Sequence, residues 1–587
     1  MDSAKNDMRQ FSGVAASPGI AVGILRVIDR RRLSLEEYNI DQANVGAETD
    51  RLKSAIARTR VELETLKEQL QETVGNEHLF FIDTHLMILA DERLVTESST
   101  FIETGLINAE GALQRSLHRY RELFAGIDDA YLRERISDVE TVIEKILCNM
   151  SGTSHAPISP VSGQTVVAAH DITPTDILQM DRGRVIGLIT EIGGRTTHAS
   201  ILARAFEIPL VVGAEGITDL LLEGAPVILD GIGGCLIVNP DPGTFVDYIQ
   251  RKRHYEYIES ELLKVAVLPS RTLDGHHIQL RGNVEVPEEG ASVLRHGGEG
   301  VGLYRTEMLF MNRSEMPDEE EQFRVYSAMQ SAVAPHPITI RTLDAGGDKL
   351  LDGCVHLAEQ NPALGMRAIR LALSKPDEFK KQLRAILRVS AAGKVRIMFP
   401  MISGLDELRQ ARFLLEQSKA ELDAAGIAYD RDMAVGIMIE IPSAVVIADL
   451  LAKEADFFSV GTNDLIQYSL AIDRSNEHLA GMYQPLHPAV LRSLRRVVET
   501  AHAAGIAACI CGEMAGDPLY LPVLLGLGFD ELSMGATSIP RVKKLLRRCT
   551  REQAVEISES CFNYSTATEV DLYLKSAITR HFAESFD

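Results

Sequence analysis

The octapeptide at 193–200, GGRTTHAS, joins a predicted buried strand to a predicted helix. The strand is the apolar run 184–190 (RVIGLIT), and apolar residues recur at helical spacing over 199–206 (ASILARAF). Paired glycines allow a tight turn between the two elements. Thr196 or Thr197 can cap the helix that follows. The octapeptide therefore predicts a polar strand-to-helix turn.

The residues of this turn suit an anion and a nucleophile. The first N–H groups of a helix lack intrahelical partners and favour a negative charge. Arg195 adds a permanent charge with planar donors. A neutral imidazole is nucleophilic near pH 7, so His198 is a candidate phosphoryl acceptor. The alternative is a hydrogen-bonded structural histidine beside a glycine turn, because short motifs of this kind have many false positives.

The second half of the chain shows a regular alternation of strand and helix patterns. Eight βα units in about 300 residues predict a TIM-type (β/α)8 barrel. No G-x-G-x-x-G follows any of these strands, which argues against a doubly wound dinucleotide fold. The predicted strands lie at 277–282, 300–303, 337–342, 395–399, 434–439, 457–460, 506–510 and 529–533.

Polar residues follow these strands directly, where barrel enzymes carry their functional groups. The strand ends bear arginines, carboxylates, an amide and a thiol: Arg305, Glu307, Arg341, Asp344, Glu440, Asn463, Asp464, Cys511 and Glu513, with Arg474 downstream of the sixth strand. Two arginines at one end of a barrel suit a doubly charged phosphate.

Two of the carboxylates and the cysteine each allow two interpretations. Glu440 and Asp464 offer the hard oxygen ligands that Mg²⁺ prefers when a phosphorylated substrate completes its shell. Salt bridges to the arginines are the alternative. Cys511 can be a proton donor or a small buried apolar residue, and the second role is favoured for a lone cysteine. Cys509, inside the strand, is expected to be core.

The first half of the chain combines a strand-rich domain with a helical insert. One strand on each side of a Ser-Pro-Gly turn is predicted within 11–28, and further strands are predicted at 164–169, 184–190, 210–212, 227–229 and 235–238. Between them, Leu52, Ile56, Thr59, Leu63, Leu66 and Leu70 form a seam with spacings of four and three, and helical patterns follow at 77–89, 92–103, 109–123 and 130–147. A polar helical stretch at 244–267 predicts a linker helix.

Composition and charge limit the class of protein. A chain of 587 residues is long enough for several domains. With 83 acidic against 60 basic residues, the net charge of −23 argues against nucleic acid as the main partner and leaves room for a basic protein, although solubility alone explains it equally well. Seven cysteines in so long a chain give no disulfide framework. No apolar run is long enough to span a membrane, so we expect a cytoplasmic protein.

Several long motifs resemble one known family. The segments SGVAASPGIAVG, GGRTTHASILARAFEIPLVVG, GVGLYRTEMLFM, IRTLDAGGDK, NPALGMRAIR, RIMFPMIS, FFSVGTNDLIQYSLAIDR and ICGEMAGD are similar to enzyme I of the bacterial sugar phosphotransferase system, also called phosphoenolpyruvate–protein phosphotransferase. The resemblance covers nearly the whole chain in the family's domain order. It is weakest in the helical insert and after about residue 558.

The resemblance implies a domain plan. A swivelling α/β phosphohistidine domain would comprise 1–32 and 151–241, with an all-helical domain at 33–150 that binds the carrier protein HPr. A linker helix at 242–267 would lead to a phosphoenolpyruvate-binding and dimerisation barrel at 268–587. Because the histidine and the barrel would lie on separate domains, domain motion is expected to gate turnover.

The resemblance also implies the reaction and the roles of individual residues. Phosphoenolpyruvate, with Mg²⁺, would phosphorylate His198 at Nε2 and release pyruvate, and the phosphoryl group would pass to a histidine of HPr. Arg305, Arg341 and Arg474 would hold the phosphate, Glu440 and Asp464 would bind Mg²⁺, Asn463 would complete the pocket with Arg367 nearby, and Cys511 would protonate the enolate.

One position departs from the family pattern. Familiar members carry a Thr after the DxTP turn that can bond the other nitrogen of the active imidazole, whereas this chain has Ile177 there. Thr173 or Thr175 could substitute for it.

Three other readings stay open. A pyruvate phosphate dikinase or phosphoenolpyruvate synthase would need a further nucleotide-binding domain, and no P-loop occurs in the chain. The nitrogen-regulatory branch of the family usually adds an N-terminal sensory domain. An idle phosphoprotein would have no reason to keep the full set of strand-end residues.

Overall fold

The computed structural model describes residues 8–28, 37–73, 80–125, 136–151, 163–173, 176–177, 180–181, 183–194, 197–218, 223–310, 316–346, 361–473 and 477–582. The chain forms two compact units, Met1–Tyr257 and Ile258–Asp587.

The first unit contains one eight-stranded sheet whose centre is parallel. Its strands are β1 (Arg9–Ser12), β2 (Val14–Ser17), β3 (Ile20–Ile28), β4 (Thr165–Ala169), β5 (Val185–Thr190), β6 (Leu210–Val212), β7 (Pro226–Asp230) and β8 (Cys235–Val238). Their order is β1-β8-β7-β3-β4-β5-β6-β2, and β3 to β6 run parallel. Strands β1 and β2 end the order on opposite sides although one residue separates them, so the sheet curls round on itself.

The strand prediction for this unit is confirmed with one difference. The segment before the Ser-Pro-Gly turn was expected to be a single strand, but it divides at Gly13 into β1 and β2. The division lets β1 pair with β8 while β2 pairs with β6. Both edges of the sheet are thereby closed by the same short stretch of chain.

Helices interrupt this sheet between β3 and β4. They span Val45–Thr73, Phe80–Ala90, Glu92–Gly105, Ala109–Ala125 and Ile136–Ser151. The predicted seam of the first helix is buried at Leu52, Ile56, Thr59 and Leu63, whereas the side chains of Leu66 and Leu70 lie outside the described part. Helical periodicity thus identified the insert because its apolar stripe has to face the other helices.

The second unit is a closed eight-stranded parallel barrel, as predicted. Its strands are β9 (Gln279–Val284), β10 (Val301–Tyr304), β11 (Ile338–Arg341), β12 (Val395–Phe399), β13 (Val435–Ile439), β14 (Phe457–Val460), β15 (Ala507–Ile510) and β16 (Glu531–Met534). Each strand pairs with the next, and β16 closes on β9. Because all strands run parallel, their carboxyl ends share one end of the barrel, called here the mouth.

Helices follow the barrel strands and bury their apolar faces against them. They span Glu289–Arg295, Glu307–Phe310, Glu319–Val333, Ala368–Ser374, Pro376–Ser390, Leu405–Ala425, Pro442–Val446, Ala448–Leu451, Thr462–Leu470, Pro488–Ala503, Leu521–Leu527, Ile539–Leu546, Arg551–Cys561 and Ala567–Phe582. A second, smaller apolar cluster contains Leu303, Met398, Met438, Phe457, Cys509 and Cys511.

The predicted linker helix spans Pro242–Ala266 and runs from the first unit into the second. At its end, the buried Lys543 ammonium donates to the carbonyls of Ala266, Leu268 and Gly297, at 2.9, 3.1 and 2.7 Å. These bonds fix the last turn of the helix to the second unit, because orphan carbonyls at a helix end attract a cation. Among the described residues, no helix is long and apolar enough to cross a membrane.

Candidate active site

The backbone of His198 begins a helix, as the glycine turn predicts. The helix spans His198–Ala205 and follows β5 at the carboxyl end of the parallel strands. Gly193 has a φ of 114°, a left-handed conformation that favours glycine and turns the chain toward the helix. The side chain of His198, and Arg195 and Thr196 entirely, lie outside the described part.

Thr197 is the residue that caps this helix. Its hydroxyl accepts the Ser200 N–H at 3.4 Å, and the Ser200 hydroxyl donates to the Gly194 carbonyl at 2.7 Å. The Thr197 N–H also donates to Gly194, at 3.2 Å. Thr197 and Ser200 therefore hold the glycine turn against the first turn of the helix, which fixes where the backbone of His198 lies.

Ile177, the departure from the family pattern, is fully buried (0 % exposed) and lines a small cavity with Asp171, Thr190, Thr197 and Ser200. A buried apolar side chain cannot orient an imidazole by hydrogen bonding. The Thr173 hydroxyl donates to Asp176 at 2.7 Å and accepts the Asp176 N–H at 3.3 Å, so its single donor is used within its own turn. Thr175 lies outside the described residues.

In the second unit, three of the predicted arginines stand beside carboxylates at the mouth. Arg305 donates to Glu285 at 2.6 Å. Arg341 donates to Glu307 at 2.9 Å and pairs with Asp344 at 2.8 Å. These pairs hold the guanidiniums in fixed orientations.

Arg367 and Arg341 share one carboxylate. Arg367 donates to the other oxygen of Asp344 at 2.8 Å. Burial acts to raise the pKa of Asp344, but the guanidiniums of Arg341 and Arg367 hold it below its usual range. A charged Asp344 therefore links the two arginines. Arg474, the remaining predicted arginine, lies outside the described residues.

Glu440 is fully buried (0 % exposed) at the end of β13. Its Oε1 accepts the Met401 N–H at 2.6 Å, whereas its buried Oε2 has no hydrogen-bond partner among the residues that the structure describes. Burial first, and the nearby Asp464 and Asp344 next, raise the pKa of Glu440 to about 8, with Arg341 acting against them. A buried carboxylate oxygen without a donor is costly unless a cation or a proton meets it.

Asn463 and Asp464 lie in the first turn of the helix Thr462–Leu470, directly after β14. The Asn463 amide donates to Glu513 at 3.1 Å and accepts the Glu513 N–H at 3.0 Å, which joins the ends of β14 and β15. Asp464 faces Glu440 and Arg367 closely enough to raise the pKa of both. The structure thus brings the predicted amide and both predicted carboxylates to one mouth.

Cys511 follows β15 and is 3 % exposed. Its thiol donates to the Val460 carbonyl at 3.6 Å. Burial raises the pKa of this thiol to about 11, although Ser459 and Arg341 act against the shift. The thiol is therefore neutral at physiological pH and carries a proton that it can donate.

Sequence reasoning missed Glu285, the partner of Arg305. Glu285 directly follows β9, so the strand-end rule that selected the other residues could have found it. Glu307 and Asp344 were noted at strand ends, but their pairing with Arg341 was not foreseen. Among the described residues, no three His, Cys, Asp or Glu side chains form a cluster that could hold a metal alone.

Comparisons with known proteins identify the family of the chain. Three family models match: "PEP-utilising enzyme, N-terminal" at 12–135, "PEP-utilising enzyme, mobile domain" at 161–234 and "PEP-utilising enzyme, PEP-binding domain" at 259–551. A phosphoenolpyruvate-protein phosphotransferase of Geobacillus stearothermophilus is 42% identical over 567 residues, 97% of this chain and 98% of that protein. The Bacillus subtilis (strain 168) protein of the same name is 40% identical over 568 residues, 97% of this chain and 99% of its own length.

Proposed function

The chain belongs to the phosphoenolpyruvate–protein phosphotransferase family, and we propose that its chemistry is divided between His198 and the barrel mouth. The family is enzyme I, which transfers a phosphoryl group from phosphoenolpyruvate through a histidine to HPr. The observation that supports substrate binding at the barrel, apart from His198, is the set of groups at the mouth. It combines paired arginines, a buried carboxylate oxygen without a donor and a neutral thiol.

We assign substrate binding to the arginines and the amide. Arg305 and Arg341, with Arg474, would receive the phosphate, because guanidinium donors match phosphate oxygens in pairs. Arg341 is oriented by Glu307 and Asp344, so its fork is set before substrate arrives. Asn463 and Arg367 would contact the remaining polar groups of the substrate.

We assign the metal ligands to Glu440 and Asp464. The unpartnered Oε2 of Glu440 beside Asp464 fits a divalent cation, because hard oxygens are the preferred ligands of Mg²⁺. When bound, Mg²⁺ would neutralise phosphate charge and orient the transferring group. Two carboxylates leave the remaining ligand positions to substrate and water.

The side chains of His198 and Cys511 would take part in successive steps of the transfer. Nε2 of neutral His198 forms the N–P bond while the bond from phosphorus to the enolate oxygen breaks. The Cys511 proton passes to the methylene carbon of the enolate, which gives pyruvate and a thiolate that solvent reprotonates. Phosphohistidine then gives its phosphoryl group to the histidine of HPr.

Further proposals concern partners and place. The helical insert would dock HPr, and the helix Pro242–Ala266 would be the pivot between the two units. We also propose a dimer through the barrel, with the exposed apolar side chains of Val446 (64 %) and Phe413 (62 %) on its outer helices as candidate contact residues. The predicted cytoplasmic location belongs to the same proposal.

Loading with labelled phosphoenolpyruvate tests the assignment of the mouth. Glu440→Gln should lower Mg²⁺-dependent labelling by about 100-fold or more, because it removes the charge but keeps the acceptor for Met401. Glu454→Gln is the matched control, since Glu454 is a surface carboxylate paired with Arg409 at 2.6 Å. Equal labelling of the two variants would refute the proposed metal site.

A further inference from the structure

A fully polar side chain, Gln382, is buried behind the mouth. It lies on the helix Pro376–Ser390, which packs outside the barrel, and it is 3 % exposed. Its neighbours in that helix, such as Leu383 and Ile386, are buried apolar residues. A buried amide is costly unless all its hydrogen bonds are made.

The Gln382 amide makes three hydrogen bonds to two strand ends and one tyrosine. Its Oε1 accepts the Leu343 N–H at 3.1 Å. Its Nε2 donates to the Thr306 hydroxyl at 3.3 Å and to the Tyr326 hydroxyl at 3.1 Å. Each of its two N–H donors therefore has its own acceptor.

The direction of these bonds is determined by the backbone. The Leu343 N–H can only donate, so the oxygen of the amide must face it and the nitrogen must face Thr306. The Thr306 hydroxyl, which accepts from Gln382, can then donate to the Arg341 carbonyl at 3.0 Å. Such a chain of aligned hydrogen bonds holds its members in one arrangement.

The bonded groups belong to the segments that carry the phosphate-binding arginines. Thr306 directly follows Arg305, and Leu343 lies two residues after Arg341. The next N–H, that of Asp344, is held by Glu307 at 3.0 Å. We propose that Gln382 and Thr306 are positioning residues that set Arg305 and Arg341 for phosphoenolpyruvate. The inference rests on the substrate role proposed for the two arginines.

The same hydrogen-bond chain supplies its own control. It continues outward from Tyr326, whose hydroxyl donates to Gln322 at 3.1 Å, and Gln322 donates to the Pro317 carbonyl at 2.9 Å. Gln322 is buried as deeply as Gln382, but within the described part of the chain its side chain hydrogen-bonds to Tyr326 and Pro317 and to neither arginine-bearing segment. A role in stability alone would make the two glutamines equivalent.

The experiment measures KM for phosphoenolpyruvate, kcat for phosphorylation of HPr and the thermal unfolding midpoint in the full-length protein. Gln382→Leu should raise KM for phosphoenolpyruvate about tenfold with a smaller change in kcat, and it should lower the unfolding midpoint. Gln322→Leu should lower the unfolding midpoint by a similar amount but leave KM within about twofold. Thr306→Val should raise KM as Gln382→Leu does. Thr306→Ser keeps the hydroxyl, so its KM should stay close to that of the unaltered protein. If Gln382→Leu does not fold, the Thr306 pair decides.

Arg341→Ala separates failure of this inference from failure of the proposed function. A normal KM in Arg341→Ala would overturn the role of the arginine itself. A raised KM in Arg341→Ala, with Gln382→Leu and Thr306→Val matching Gln322→Leu, would overturn the positioning role alone.

Discussion

Burial sets the protonation state of two acids at the barrel mouth. The pKa of Glu440 rises to about 8 and that of Cys511 to about 11, and burial is the largest cause in both. A cation beside Glu440 favours its ionised form, because it stabilises the charge that burial opposes. Arg341 also favours the ionised form of the Cys511 thiol, but burial outweighs it, so Cys511 stays protonated.

We predict that Cys511 acts only as an acid. Between pH 7 and pH 9 the thiol is neutral, because both values lie below its pKa of about 11, and the donor is lost only as pH approaches that value. Turnover limited by protonation of the enolate should therefore have no alkaline decline below about pH 10. The pH profile of kcat checks this.

Variants of Cys511 and of Cys509, two residues earlier in the chain, separate a chemical role from a packing role. Cys511→Ala should lower turnover about 100-fold, the usual contribution of a general acid, and leave the unfolding midpoint close to that of Cys509→Ala. Cys509 lies within β15, belongs to the same apolar cluster and is equally buried at 3 % exposed. Rapid alkylation of Cys511 at pH 8 in the native protein would contradict the neutral thiol.

Single residues show where prediction from sequence stops. Strand-end position identified Arg305, Arg341, Glu440 and Cys511, because a barrel brings all strand ends to one mouth. It could not assign partners, since Glu307 meets Arg341 only across the neighbouring strands β10 and β11, and Asp344, three residues after Arg341, also binds the more distant Arg367. The alternative, salt bridges from Glu440 to the arginines, is not seen among the described residues, where Arg341 pairs with Glu307 and Asp344.

At the scale of elements, the start of the helix Thr462–Leu470 depends on the glycine that follows Cys511. Gly512 has an ordinary backbone conformation, with a φ of −77°, so backbone freedom does not explain it. A Cβ there would overlap the Thr462 hydroxyl. A glycine is therefore required at position 512 because there is no room for a side chain beside Thr462.

Gly512→Ala should shift this helix and the side chains of Asn463 and Asp464. The expected cost is about 1–3 kcal/mol of unfolding free energy, as for overpacking, together with weaker Mg²⁺-dependent binding of phosphoenolpyruvate. Gly404→Ala is the control, because a Cβ at Gly404 meets nothing within 4 Å. Calorimetric titration with phosphoenolpyruvate and Mg²⁺ compares the affinities of the two variants. Unchanged binding in Gly512→Ala would refute the claim that Gly512 positions this helix by leaving room for Thr462.

Short apolar runs bounded by turn residues were well predicted as strands. The strands 395–399, 457–460, 210–212 and 235–238 were predicted at their observed bounds, since short buried apolar runs between turn residues leave little choice. The split of the first strand at Gly13 was missed, because pairing to two different edges depends on β6 and β8, far along the chain.

At the scale of the whole molecule, the proposed acceptor and the proposed substrate site lie in different compact units. His198 belongs to the unit Met1–Tyr257, whereas the described residues proposed to bind phosphoenolpyruvate belong to Ile258–Asp587. If these assignments hold, transfer would require the two to meet and part in each cycle. The sequence analysis expects this motion from the separation of the two domains, and the motion stays a prediction.

This division predicts a one-way defect in a fragment. Residues 1–257 alone should take label from phosphorylated HPr and return it, because they contain His198 and the helical insert. The same fragment should take none from phosphoenolpyruvate. Labelling of the fragment by phosphoenolpyruvate would show that the barrel is not needed for loading.

The most direct test of the central claim maps the phosphate. The full-length protein, incubated with phosphoenolpyruvate and Mg²⁺ and digested at alkaline pH, should yield one acid-labile phosphopeptide, with the phosphate on His198 by tandem mass spectrometry. His198→Ala should yield none, while its barrel still binds phosphoenolpyruvate. Phosphate on another residue, or undiminished labelling of His198→Ala, would contradict the account.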